Sequence, residues 1–174
     1  TKDGHEFITE CLSYYFDVAG ANNTDNTETD YANVRAYGAP YASLTFYNST
    51  NLYPNSLGGF LEGNSNVTHF PNGWIWGKEE ADSFRFTMEG RNLFLLYKED
   101  NNENMGCIEV YIDGKKKETV NANTKAGWNN PQVVTLLNDV TAGKHEVELR
   151  VTSDTQAKNF HILGFGTTGT IESK

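Results

Sequence analysis

The chain has 174 residues, including nine Tyr, ten Phe and three Trp, and a formal net charge of −9. That length is enough to bury the core of one domain. The acidic balance, with a pI near 4.8, repels phosphate backbones and anionic lipid, so nucleic acid and membrane surfaces are excluded as partners, whereas uncharged ligands carry no penalty. No apolar run approaches the roughly 20 residues that span a bilayer. The chain opens at Thr1 without a leader pattern, so a processed or excised segment is expected. Sixteen Gly and many Asn and Thr accompany the aromatics, a mixture that favours strands and turns.

In chain order, Glu6 to Val18 reads as extended, because Leu12, Tyr14 and Phe16 alternate. Ala19 to Asp30 has no periodicity and reads as a loop, and Tyr31 to Pro40 carries no clear pattern. Tyr41 to Tyr47 alternates, with Ala42, Leu44 and Phe46 on one face and Tyr47 on the polar one. Asn48 to Gly73 is a long connection that must pack its own aromatics. It leads into His69-Phe70-Pro71-Asn72-Gly73-Trp74-Ile75-Trp76-Gly77, which holds two of the three tryptophans.

From Asp82 the strand pattern is clear. Phe84 to Glu89 alternates, Gly90 marks a turn, and Asn92 to Tyr97 reads as a strand buried on both faces. Ile108, Val110 and Ile112 share a face, Asp113-Gly114 signals a tight turn, and Lys115 to Val120 is its hairpin partner. Asn121 to Pro131 is a loop carrying Trp128. Gln132 to Leu137 is a strand, and Gly143 opens another with His145, Val147, Leu149 and Val151 on one side. After a turn at Asp154 to Lys158, Phe160 to Phe165 closes the sheet. Many short strands with turns between them and no helical pattern predict an all-β chain: an antiparallel β-sandwich of jelly-roll type, as one domain over residues 1–174.

The second half carries a resemblance. The runs HFPNGW (His69–Trp74), FRFTMEGRNLFLLYKE (Phe84–Glu99), VYIDGK (Val110–Lys115), GWNNP (Gly127–Pro131), GKHEVELRV (Gly143–Val151) and KNFHILGFG (Lys158–Gly166) occur in that order. Together they resemble the accessory jelly-roll module of SGNH/GDSL-type carbohydrate esterases from anaerobic bacteria, a relative of carbohydrate-binding modules. The likeness covers about residues 66–166, and residues 1–65 share it only loosely. It implies a secreted or cell-surface bacterial system that degrades plant cell-wall polysaccharide, with enzyme or scaffold modules linked to this one. The esterase chemistry of that family sits in a separate domain with a Gly-Asp-Ser block and an Asp-x-x-His pair. Neither is present here, and Asp82-Ser83 lacks the preceding Gly. Nor is there a Gly-x-Ser-x-Gly elbow or a phosphate loop. The chain is therefore expected to be non-catalytic.

A sugar offers apolar C–H faces to aromatic rings and hydroxyls to amides and carboxylates. Trp74 and Trp76, two residues apart, share one side of an extended segment. They form either a flat platform for one or two sugar units or part of the core, with Asn72, Lys78 and Glu79 as edge contacts in the first case. Trp128, between Gly127 and the amides of Asn129 and Asn130, is either a third contact or a loop anchor. Tyr47 and Tyr53 could widen the platform or pack. The expected ligand is a neutral polysaccharide, β-glucan or hemicellulose first and starch second. The alternative is a structural companion domain of an esterase, its sign a contiguous exposed apolar patch.

No cofactor is expected. The acidic stretches Glu79-Glu80-Asp82 and Glu99-Asp100 to Glu103 leave room for a structural Ca²⁺ but lack the spacing of a calcium loop. His5, His69, His145 and His161 have no spaced metal-ligand partners and read as structural. Cys11 and Cys107 are either two small, mostly buried thiols or one disulfide.

Overall fold

A computed structural model describes residues 2–21, 41–79 and 82–174. The chain divides into two compact units, residues 1–39 and 40–174.

The first unit contains a helix, α1 (Lys2–Ala21), where an extended segment was expected. The alternation of Leu12, Tyr14 and Phe16 coexists with a second spacing. Phe7, Cys11 and Tyr15, and also Ile8, Leu12 and Phe16, recur at every fourth position, which places them one above the other along a helix. No proline interrupts the stretch. The Thr9 hydroxyl donates back to the His5 carbonyl at 2.8 Å, a bond of helical reach. The apolar side chains stand in solvent, with Phe7 67% and Phe16 66% exposed. Residues 22–40, with most of the expected loop and the unassigned stretch after it, lie outside the described residues.

The second unit has ten strands, all paired antiparallel. They are β1 (Thr45–Tyr47), β2 (Ser56–Leu57), β3 (Phe60–Asn64), β4 (Asn72–Trp76), β5 (Phe84–Asp100), β6 (Cys107–Ile112), β7 (Lys115–Asn121), β8 (Trp128–Val151), β9 (His161–Thr167) and β10 (Thr170–Ile171). A 3-10 turn, Ser153–Thr155, precedes β9.

The two long strands organise the fold. The expected breaks at Gly90 and Gly143 are not strand ends. β5 and β8 run through them, paired Phe84↔Leu149 at one end and Asp100↔Trp128 at the other, with a register shift between Gly90 and Asn92. Along β5 the inward face changes from Phe84, Phe86 and Met88 to Leu93, Leu95 and Tyr97. An irregularity that changes strand direction produces that switch of parity. A side chain at Gly90 would be crowded, since a Cβ would meet the Met88 methyl at 3.0 Å and Gly169 Cα at 3.1 Å.

The first half of β5 pairs with β2, β10 and the end of β8, which continues to β6 and β7. The second half pairs with the start of β8 and with β9, which carries β1, β4 and β3. The two halves fold onto one core and make the antiparallel jelly-roll β-sandwich. Aromatic rings join them: Phe86 and Phe165 lie 4.6 Å apart, and Phe84 and Phe60 lie 5.9 Å apart. Asp113-Gly114 makes the expected tight turn, with φ of 53° and 74°.

Cys11 is exposed and Cys107 half-buried, and both thiols are free. Cys11, exposed on α1, is therefore not the small buried residue expected. Among the described residues no helix is long and apolar enough to cross a membrane.

Candidate functional site

The tryptophans have opposite fates. Trp74 and Trp76 do share one face of β4, but it is the inner face. β4 lies between β3 and β9, so rings on that face enter the sandwich. Trp74 is 0% and Trp76 4% exposed. The Trp74 ring meets Phe84 edge-on at 5.1 Å and Phe165 at 6.1 Å, while Trp76 lies 5.4 Å from Phe60. Trp76 Nε1 donates to the Gln156 carbonyl at 3.1 Å, whereas Trp74 Nε1 is buried without a partner. A buried ring offers no face to a sugar, so the expected Trp74–Trp76 platform is corrected to core packing.

Tyr47 is corrected likewise. β1 pairs Tyr47↔Phe165, which turns Tyr47 inward and Phe46 outward, the reverse of the polarity reading. Tyr47 is 7% exposed, and its hydroxyl accepts from the Ile171 amide at 3.4 Å. Tyr53 is exposed, with Lys174 Nζ 5.5 Å from its ring centroid. Asn72 is exposed at the start of β4, opposite Asn64. Lys78 and Glu79 are exposed too, beside a ring that is not.

Trp128 is 78% exposed, and the loop beneath it is held at several points. Its amide donates to Asn130 Oδ1 at 2.8 Å. Asn130 Nδ2 donates to Glu99 Oε1 at 2.9 Å, and Thr124 Oγ1 donates to Glu99 Oε2 at 3.0 Å. Glu99 is buried, 5% exposed, and its acceptors hold the loop rather than face outward. Gly127 lies against Asp100, where a Cβ would fall 2.5 Å from the carbonyl carbon. Asn129, at φ 68°, donates through Nδ2 to the Asn66 carbonyl at 2.9 Å. Asn66 is itself at φ 59°, and its backbone amide donates to Asn64 Oδ1. Asn is one of the few residues that tolerate this left-handed conformation.

The result is an indole face in solvent on a pinned backbone, with exposed Asn66 and Asn129 beside it. An exposed indole face of this kind has the chemistry to stack on a flat apolar face, and the neighbouring amides the chemistry to hydrogen-bond hydroxyls. The long-range partner, Asn66, escapes sequence reasoning because 63 residues separate it from Asn129. Nearby, Lys98 Nζ donates to the Ser65 carbonyl at 3.4 Å. His161 is nearly buried, and burial first, then the Lys98 charge, lowers its pKa to about 4.

The other histidines divide. His145 Nδ1 bonds Asp113 Oδ2 at 2.8 Å, as a structural histidine does, while His69 is exposed. Among the described residues no three His, Cys, Asp or Glu side chains gather as a metal site. Of the carboxylates in the two acidic stretches, Glu99 accepts from Thr124 and Asn130, and Asp82 accepts from the Ser83 amide and pairs with Arg85, while Glu80 lies outside the described residues.

A second surface feature lies on the outer face of the β9–β5–β8 layer. Tyr41, Leu44, Phe46, Phe70, Phe94 and Val133 border an apolar hollow of about 390 Å³. Tyr41 is 44% and Val133 53% exposed.

The profile of the carbohydrate esterase 2 N-terminal family matches residues 80–172. No curated protein matches the sequence. Two crystal structures of a two-domain esterase (CEX) active on acetylated mannans are similar at 20% identity, each covered over 96% of this chain. The one co-crystallised with mannopentaose has a TM-score of 0.62, with 46% of its chain covered; the other has 0.64, with 47% covered. The CBM36-1 domain of a multidomain xylanase from the hindgut metagenome of Trinervitermes trinervoides aligns at 24% identity, over 71% of this chain and 94% of its own, with a TM-score of 0.48. The chain thus spans about half the length of the two-domain esterases, and the profile covers more than half of it. The chain belongs to the carbohydrate esterase 2 N-terminal family.

Proposed function

We propose that this chain is the non-catalytic, secreted accessory module of a polysaccharide-degrading esterase, and that it holds neutral polysaccharide by stacking a sugar ring on Trp128. The observation that carries this reading is a large indole left 78% exposed at the start of β8, on backbone fixed by Asn130, Glu99 and Gly127. Exposing an indole forgoes about 1.5–3 kcal/mol of burial, and pinning its backbone keeps a partner from meeting the ordering cost on binding. Asn129 and Asn66 would serve the ring-edge hydroxyls. Hemicellulose is the first ligand to test, with mannan at its head because a structural relative acts on acetylated mannans. β-Glucan follows, and starch after that. The net charge of −9 disfavours polyanions. Affinity gels of wild type and Trp128→Ala in mannan, xylan, β-glucan and starch test this, and equal retardation of both proteins in the gel that binds wild type removes the assignment. Hydrolysis of chromogenic acetyl or glycosyl substrates by the purified chain would remove the non-catalytic part.

The apolar hollow favours a second role alongside the first, that of a companion domain whose outer face is covered by a linked enzyme module. A patch of this kind on a soluble domain marks an interaction surface. Leu44→Glu with Val133→Lys would then abolish association with the separately expressed esterase domain and leave polysaccharide retardation unchanged. Association unaffected by both charges would dismiss the companion role.

A further inference from the structure

The outer face of the other layer is polar. Strand register lines up Ser56, Arg85, Glu148, Tyr111 and Lys116 as cross-strand neighbours from β2 to β7, with Arg150 opposite Glu109 in the adjacent row. At the β2 end of this face lies a hollow of about 500 Å³ bordered by Asp82, Ser83, Arg85, Glu148 and Arg150, with Trp76 in its wall. That volume suits a small ligand. Gly58, at φ 55°, lets β2 close tightly on β5 at the rim, where a Cβ would fall 2.2 Å from the Phe84 nitrogen.

Two arginines and two carboxylates cancel in charge, so the hollow selects neither anions nor cations. It is rich in fixed donors and acceptors. Glu148 accepts from Arg150 at 2.7 Å through Oε2 and from Ser83 Oγ through Oε1. The Arg150 bond, and after it the Ser83 bond, keeps this carboxyl below the usual glutamate range. An ionised carboxylate has about four acceptor positions, so two remain. Arg150 carries five donors on a plane steadied over Tyr111, 4.1 Å from its ring centroid, and stays half-exposed. Arg85 is held by Asp82. Hydroxyl groups, each both donor and acceptor, match such alternation; a purely apolar ligand leaves these groups unpaired.

We propose that this hollow is a second saccharide subsite, separate from the Trp128 loop, which takes one neutral sugar unit through its hydroxyls on Glu148, Arg150 and Ser83. The proposal rests on the reading that the module binds glycan, and the three indoles report the two claims separately. Trp128 reports the loop, Trp76 Nε1–H the hollow, and Trp74 the core. In ¹H–¹⁵N spectra of the full chain titrated with mannopentaose, xylopentaose and cellopentaose, the Trp128 and Trp76 indole signals shift, as do the Ser83, Glu148 and Arg150 amides, while Trp74 stays in place.

Glu148→Gln weakens the titration read at Trp76 on the order of tenfold and leaves that read at Trp128 unchanged. Arg150→Gln does the same, and an unmoved Trp74 signal certifies the fold of each variant. If Trp76 and the three amides are still at ligand levels that saturate Trp128, the subsite is overturned and the Trp128 reading stands. If they move while Trp128 does not, the subsite stands and the Trp128 reading falls. No movement with any of the three oligosaccharides overturns both.

Discussion

Two stretches of this chain look alike on paper, Asn72-Gly73-Trp74-Ile75-Trp76 and Gly127-Trp128-Asn129-Asn130. Each sets tryptophan among glycine and amides, yet the first fills the core and the second stands in solvent. Their places in the sheet make the difference. β4 has neighbours on both sides, and Ile75, between its two tryptophans, is half-buried on the opposite face. Trp128 opens β8 at the far end of its ladder with Asp100. There Glu99 satisfies the loop beneath it, so the backbone is fixed without burying the ring. The same residue type is thus core in one place and solvent-facing in the other.

The largest expected effect lies on the core side. Trp74→Ala removes a fully buried ring packed on Phe84 and Phe165, and should cost about 3–5 kcal/mol of stability, read by chemical denaturation. A loss within 0.5 kcal/mol would break the contrast. Trp128→Ala should do the reverse: no measurable change in stability, and a loss of glycan affinity of about 2 kcal/mol or more, roughly thirtyfold.

The pH dependence sharpens the comparison beside the loop. His161 has a pKa of about 4 in the fold, against an ordinary 6.5. Between these values the unfolded chain takes up a proton that the folded chain refuses. Stability is therefore full above pH 6.5, falls as pH drops toward 4, and is not lowered further by this group below that. The loss is at most on the order of 3–4 kcal/mol. His161→Gln should flatten this stretch of the stability–pH curve, and an unchanged curve would assign the acid sensitivity elsewhere. The smallest effect is expected from Asn129→Ala, which loses the bond to Asn66 and places a less tolerant residue at φ 68°. About 1 kcal/mol of stability should go, with a few-fold loss in affinity; affinity unchanged in a correctly folded variant would show that the Asn66–Asn129 link does not position Trp128.

The sandwich was legible where one face of a strand is buried and the other wet. Ile108, Val110 and Ile112 on β6, and Val147 and Leu149 on β8, alternate because the outer face carries Glu109, Tyr111 and Glu148. Helix α1 was not legible, because aromatics are so dense there that period two and period four are both present. Gly90 resembled a turn because a glycine that permits a bend and one that ends a strand are the same letter. Strand period correctly placed Trp74 and Trp76 on one face, but it cannot say which face is inside; the pairing with β9, some 90 residues away, decides that. The Trp128 loop was half legible: Gly127 to Asn130 left open whether the ring is exposed or anchors the loop, and Glu99, Thr124 and Asn66 join it only through tertiary structure.

The central claim is that binding belongs to the exposed indole and folding to the buried ones. Calorimetric titration of wild type and Trp128→Ala with mannopentaose, each paired with a thermal melt, tests it most directly. The account predicts that the variant melts like wild type and binds about thirtyfold more weakly or not at all; wild-type affinity in a variant that melts normally would contradict it.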